Sequence, residues 1–354
     1  MTTEVAKTTK PVTRRAVRVG PVSVVVRPWM IFVNIVLLAL LLLLFCVDIG
    51  RGELSLSVGQ VIDALGGAGT RSQRFIVNDV RLPRALVGLL VGIALGISGA
   101  ITQSVLRNPL ASPDILGITA GASVGAVGLI VGFGAGVGIG VPTAALVGGF
   151  VTAGAIYLLA WQGAVEGYRL VLIGIGTNAM MLAMVGWLFV KANTYDVATI
   201  QLWLTGSLDQ AGWSNVRTTA IGVVVFGVVA LISAPAMATL RFGDDKARSL
   251  GVRLQARQGV VLLSAVALAG LATAASGPIG FVALASPQIA RRLLRTPGEP
   301  IVGSALVGGV LVLASDIIAR TLLPISLPVG IVTAALGGPF LLYLLVRNNR
   351  KASI

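Results

Sequence analysis

Residues 81–106 read RLPRALVGLLVGIALGISGAITQSVL: two arginines around a Leu-Pro step, then more than twenty residues with no charge. An uninterrupted apolar run of about 20 residues is what a helix needs to cross the hydrocarbon of a bilayer, so a span is predicted over 82–106. Glycines 88, 92 and 96 recur every fourth residue along it, the spacing that lets two helices approach backbone to backbone. Glycines 128, 132, 136 and 140 repeat the pattern further on, which predicts a tight bundle rather than one isolated anchor.

The rest of the chain follows the same logic. Of 354 residues, 56% are hydrophobic and 11% charged, whereas soluble domains carry about 25% charged residues. The ruler of about 20 residues gives ten spans, near 28–47, 82–106, 114–134, 138–161, 168–190, 216–239, 258–276, 278–294, 300–322 and 327–346. The reading is therefore an all-α, polytopic membrane protein with about ten transmembrane helices. The third and eighth spans are the weakest, because glycine or polar residues interrupt them. Residues 1–27 read as a basic cytoplasmic tail without a cleavage pattern, 28–346 as the membrane domain, and 347–354 as a second cytoplasmic tail.

The net charge of +14 has no aromatic-basic surface or recognition motif beside it, which argues against nucleic acid as a partner. It is better explained by the rule that basic residues stay on the cytoplasmic side. With the N-terminus inside, 19 of the 27 Lys and Arg residues fall on inner segments, including Arg107, Arg169 and the clusters at 241–257, 291–295 and 347–351. Both termini are then cytoplasmic, in the plasma (inner) membrane. The long segments 48–80 and 191–215 face outward, the first as an amphipathic flap, and 240–257 faces the cytoplasm.

Chemistry is narrowly bounded. With no histidine, Ser-His-Asp and Cys-His arrangements cannot form within the chain, and Cys46 alone can make no internal disulfide and is expected as a small core residue. No G-x-x-x-x-G-K-[ST] loop exists to cradle ATP phosphates, so an ATP-driven process needs a separate subunit. Neither an enzyme activity nor a cofactor is expected. Among ionisable groups, Asp316 is the clear interior candidate, and Arg320 four residues on predicts an i,i+4 ion pair near the outer end. Asp48 and Asp114 are expected to be solvated at the membrane edges.

The cytoplasmic stretch RFGDDKARSLGVRLQAR at 241–257 predicts a short amphipathic helix between Gly243 and Gly251, with Asp244 and Asp245 at its start. It reads equally as a solvated connector or as a lever seated on a partner. LASPDI at 110–115 returns as LASPQI at 284–289, in opposite vertical senses on this map, as an inverted repeat would place them.

The run RLPRALVGLLVGIALGISGAITQSVLRNPLASPDILGITAGASVGA, followed in order by GDDKARSLGV, GPIGFVALASPQIARRL and LPVGIVTAALGGPFLLYLL, resembles the permease family for ferric siderophores, haem and vitamin B12 within the type II ABC importers. LIGIGTNAM at 172–180 and WLTGSL at 203–208 are most similar to its enterobactin-type branch, and there to the second permease subunit. The resemblance implies a type II ABC importer permease fold and a homologous second permease subunit. Two ATP-binding subunits would lie below, an extracytoplasmic binding protein above, and the cargo would be a ferric siderophore, with haem or cobalamin as the alternative. It implies that Gly243, Asp244, Asp245, Arg248, Ser249, Leu250 and Gly251 form the segment that couples to the ATPase. It also implies that Arg81, Arg84 and Arg320 meet carboxylates of the binding protein; by residue chemistry alone the arginines could equally anchor helix ends. Where the family often has a histidine before its I-A-R step, this chain has Gln288.

Overall fold

The computed structural model describes residues 15–19, 22–52, 54, 56–134, 140–161, 167–240, 254–321 and 326–352. Thirteen helices are seen among them. α1 (Pro28–Gly50) is followed by α2 (Val58–Leu65), α3 (Arg71–Phe75), α4 (Leu82–Leu106), α5 (Ile118–Phe133), α6 (Val141–Ala160) and α7 (Gly167–Lys191). Then come α8 (Thr194–Leu204), α9 (Trp213–Leu240), α10 (Leu254–Ser276), α11 (Val282–Leu293), α12 (Ile301–Thr321) and α13 (Val329–Ala352). Ten of these match the ten predicted spans; α2, α3 and α8 lie in the two long segments 48–80 and 191–215.

Among the described residues seven helical stretches are long and apolar enough to cross a membrane, α5 and the first part of α13 being shorter apolar helices. The two weak spans are short for a physical reason. The 16 residues of α5 and the 12 of α11 rise only about 24 and 18 Å, against roughly 30 Å of hydrocarbon. Non-helical backbone must complete those passages, and it is tolerated at depth only inside protein. Ahead of α11 this is seen: Ser207 N–H donates to the Ser276 carbonyl at 2.8 Å, and Gly330 N–H to the Gly206 carbonyl at 3.0 Å.

α4 is the central post, with 17 buried residues, packed by α9, α10, α11 and α12. Its glycine row is a true seam. A Cβ on Gly92 would lie 2.4 Å from the Gly308 carbonyl oxygen, and one on Gly96 2.1 Å from that of Ser304. The second predicted row is not. Gly132 has nothing within 4 Å of a Cβ, and Gly136 lies outside the described residues. α5 instead meets α6 through Gly121, Gly125 and Gly148, at the earlier turns of the same helical face.

Two further expectations are corrected, the start of the second span and the burial of Cys46. The helix of the second span does not begin at 82: helical backbone runs from Arg71 through a six-residue π turn at Ile76–Arg81 into α4. Pro83, which has no N–H to give, sits just beyond that turn, where the wider ring accommodates the missing donor. The basic tail contains two antiparallel strands, Arg15–Val19 and Val22–Val26, because its run of valines favours extended backbone. At the other end α13 continues to Ala352, so 347–352 extends a helix. Cys46 is exposed on the outside of α1, whose apolar flank Phe32, Ile35, Leu42 and Leu43 is also bare.

Candidate functional site

The π turn decides where the RLPR arginines go. An extra residue per turn shifts the register of the chain around the axis, so Arg81 and Arg84 leave α4 toward different neighbours. Arg81 is buried against the end of α1. Its guanidinium donates to the carbonyls of Ile49 at 3.1 Å, Gly50 at 3.2 Å and Leu54. Those carbonyls lack intrahelical partners, and a cation beside them also meets the negative end of the helix dipole.

Arg84 reaches the opposite way and grips Asp316 of α12 with two parallel bonds, Nε to Oδ2 at 3.1 Å and Nη2 to Oδ1 at 2.8 Å. Its remaining nitrogen, Nη1, donates to Asp209 in the link between α8 and α9. Arg320 closes the circuit. It donates from Nε to Asp316 at 2.9 Å, as the i,i+4 spacing predicts, and from Nη2 to the Asp48 carboxylate at the end of α1. Its Nη1 donates to the Arg51 carbonyl at 3.2 Å. Arg84 and Arg320 thus join three aspartates from α1, the 205–212 link and α12 in one cluster, with Arg81 held beside it on backbone carbonyls, and the bidentate Arg84–Asp316 contact makes it directional.

The cluster is graded in exposure. Asp316 and Asp48 side chains are 0% and 1% exposed, Arg84 and Arg320 13% each, and Asp209 54%. Burial raises the Asp209 carboxyl, but the Arg84 guanidinium beside it, with the Ser207 hydroxyl donating at 2.8 Å, holds it below the ordinary carboxylate range. Asp209 is therefore a charged, accessible acceptor on Arg84.

The expectation that Asp48 is solvated is wrong: it is buried beneath Arg320, with Oδ2 lacking any hydrogen-bond partner among the described residues. Asp114 is half-buried and accepts from the Thr119 hydroxyl at 2.5 Å, so it braces the entry to α5 rather than facing solvent. Sequence reasoning missed Asp209 altogether. Its only local signal was Ser207 two residues earlier, whose hydroxyl the Asp209 N–H bonds at 3.1 Å. The two halves of the LASPDI and LASPQI echo differ in form, the first lying in turns before α5 and the second inside α11. Gln288 pairs with Gln103 of α4 at 2.5 Å, and Gln103 donates in turn to the Leu284 carbonyl at 3.0 Å, so this buried position holds two helices together with neutral groups. The proposed coupling residues Gly243, Asp244, Asp245, Arg248, Ser249, Leu250 and Gly251 lie outside the described residues. No cluster of side chains fit to hold a metal ion occurs among the described residues.

Residues 40–347 match the FecCD transport family. The chain belongs to that family. It is 41% identical over 330 residues, 91% of this chain and 100% of the other, to the ferric enterobactin transport system permease protein FepG of Escherichia coli (strain K12). It is also 41% identical over 320 residues to the achromobactin transport system permease protein CbrC of Dickeya dadantii (strain 3937), covering 88% of this chain and 91% of that one. A solved structure described as an inward-facing conformation of a metal-chelate type ABC transporter superposes with a TM-score of 0.79 at 28% identity, covering 89% of this chain and 99% of that one. The FecCD chain is accordingly a multi-pass membrane permease with an ABC transporter fold.

Proposed function

We propose that this chain is one permease subunit of an ATP-driven importer for ferric siderophores, of the catecholate type. The observation that carries the reading is the end-to-end match, at 41% identity, to a permease named for ferric enterobactin. In this reading two cytoplasmic ATP-binding subunits drive the cycle, and a homologous second permease completes the path. An extracytoplasmic binding protein delivers the cargo. Both termini are cytoplasmic, in keeping with the basic residues on the inner segments. ATP hydrolysis belongs to the partner, and residues 243–251 transmit its closure.

Arg84 and Arg320 receive the binding protein. The geometry supports an exchange: a carboxylate arriving on the binding protein displaces the exposed Asp209 from Arg84 while buried Asp316 keeps the guanidinium aimed. Arg81, wholly engaged by backbone carbonyls, serves the rim by fixing the end of α1. Charged pairs at such a rim mainly set encounter rate and register. Freeing Arg84 by Asp209→Asn should tighten docking up to about fivefold, the ratio for an exposed pair of at most ~1 kcal/mol. Surface plasmon resonance on the reconstituted permease reads this directly, and weaker docking would count against the exchange.

Cargo is tested by uptake. A host strain deleted for its own permease and expressing this chain with its partners should regain uptake of iron-loaded catecholates. Restoration of haem or cobalamin uptake alone would overturn the cargo assignment.

A further inference from the structure

We propose that α2 is an interfacial helix, seated on the bilayer with Val58, Ile62 and Leu65 among the lipid acyl chains and with Gln60 and Asp63 toward water. At about 100° per residue the three apolar side chains share one stripe of the helix. They are 77%, 63% and 47% exposed, in a helix of only eight residues. The stripe adjoins the one that α2 buries, where Val61 and Ala64 pack with Ile49 of α1, Val77 of the π turn and Ala85 of α4. Apolar positions thus sweep roughly 160° of the circumference, part of it against protein and the rest bare.

Two features of the surroundings select lipid as the occupant. The first is depth. α1 has 23 residues, a rise of about 34 Å, which slightly exceeds roughly 30 Å of hydrocarbon, so its end at Gly50 lies at the membrane boundary. α2 packs on Ile49, and Phe45 one turn earlier joins the same cluster. That is the level of the headgroups and upper acyl chains, where an amphipathic helix sinks its apolar face about 5–10 Å. The bare flank of α1, with Leu42, Leu43 and Cys46, leads up to this level, so the stripe on α2 continues a surface that already meets lipid. The second feature is the order of the faces. Gly59 and Asp63 lie opposite the buried residues, so a protein arriving from solvent meets the polar side, whereas the apolar stripe lies on the flank.

An eight-residue helix is marginal in water by itself, and α2 is held at both ends. Ser57 N–H donates to Gln60 Oε1 at 2.9 Å and Gln60 N–H to the Ser57 hydroxyl at 3.3 Å, a reciprocal N-terminal cap. Asn78 Nδ2 donates to the Ala64 carbonyl at 3.1 Å. The link that leads into α2 is the one gripped by Arg81, at the Gly50 and Leu54 carbonyls, and by Arg320, at that of Arg51. A membrane-seated α2 therefore fixes the height of the arginine cluster relative to the bilayer.

The full chain carrying Cys46→Ser, in liposomes of palmitoyl-oleoyl-phosphatidylcholine, tests this with a spin label at Ile62→Cys or at Asp63→Cys. In power-saturation measurements the label at 62 should be more accessible to oxygen, which partitions into acyl chains, than to a water-soluble nickel chelate. The label at 63 should show the reverse order, and adding the binding protein should leave the values at 62 unchanged. A label at 62 that favours the nickel chelate, or that is shielded only once the binding protein is added, would overturn the proposal. A photoactivated diazirine residue at Val58, in a chain without labels, gives a second reading that does not depend on how the spin label packs. Adducts with lipid are expected there, and adducts with the binding protein would overturn the proposal. These readings need only that the chain spans a bilayer, so they stand whatever the cargo.

Discussion

Asp316 is the residue on which the outer cluster turns, since its two oxygens accept from both Arg84 and Arg320 while no part of it meets solvent. Removing one member of a buried ionic set leaves the others charged and unpaired, which typically costs about 3–5 kcal/mol. Asp316→Asn should therefore lower stability by that order in denaturant or thermal unfolding. Asp209→Asn, at an accessible link screened by solvent, should cost at most ~1 kcal/mol. The pH dependence follows with a definite sign. The folded Asp209 carboxyl is held below its unfolded value of about 3.9, so its contribution is complete above that pH and is lost as pH falls through the folded value. The melting difference between the parent chain and Asp209→Asn should be constant from pH 8 to 5, begin to shrink as pH falls below about 4, and vanish only below the folded value. A difference that changed across neutrality would place the titrating group elsewhere.

At the scale of elements, close backbone approach explains which glycines matter. A Cβ on Gly99 of α4 would sit 1.8 Å from the Ala283 carbonyl oxygen of α11, a contact that only backbone movement can relieve. Gly99→Ala should thus cost 1–3 kcal/mol or more by overpacking, whereas Gly132→Ala on α5, with open space around it, should leave the melting temperature unchanged or raise it slightly. Thermal melts in one detergent check the pair. The spacing of 88, 92 and 96 announced the α4 seam because a period of four keeps one helical face toward a neighbour. The same period at 128 and 132 misled, since periodicity identifies a face and says nothing of what packs on it. The shortness of α11 was legible in its polar residues. The π turn was not, because nothing in the pattern of residues 76–81 separates it from an ordinary helical turn. Asp48 and Asp209 were missed because their partner Arg320 or Arg84 lies on an element more than a hundred residues away in sequence.

For the whole molecule, α4 forms a buried axis while α1, α7 and α9 turn most of their apolar surface outward, with 17%, 17% and 22% of their apolar windows buried. A permease that works within an assembly needs such faces, for lipid on one side and a second permease on another. The described residues supply a cluster of paired charges at one end of a glycine-sealed bundle. The central claim is that transport is driven by a separate ATPase. Its most direct test is uptake of iron-loaded enterobactin into liposomes holding this chain, its companion permease, the ATP-binding subunits and the binding protein. The account predicts accumulation that requires ATP and stops when the ATP-binding subunits are omitted; accumulation by this chain alone, driven by an ion gradient, would contradict it.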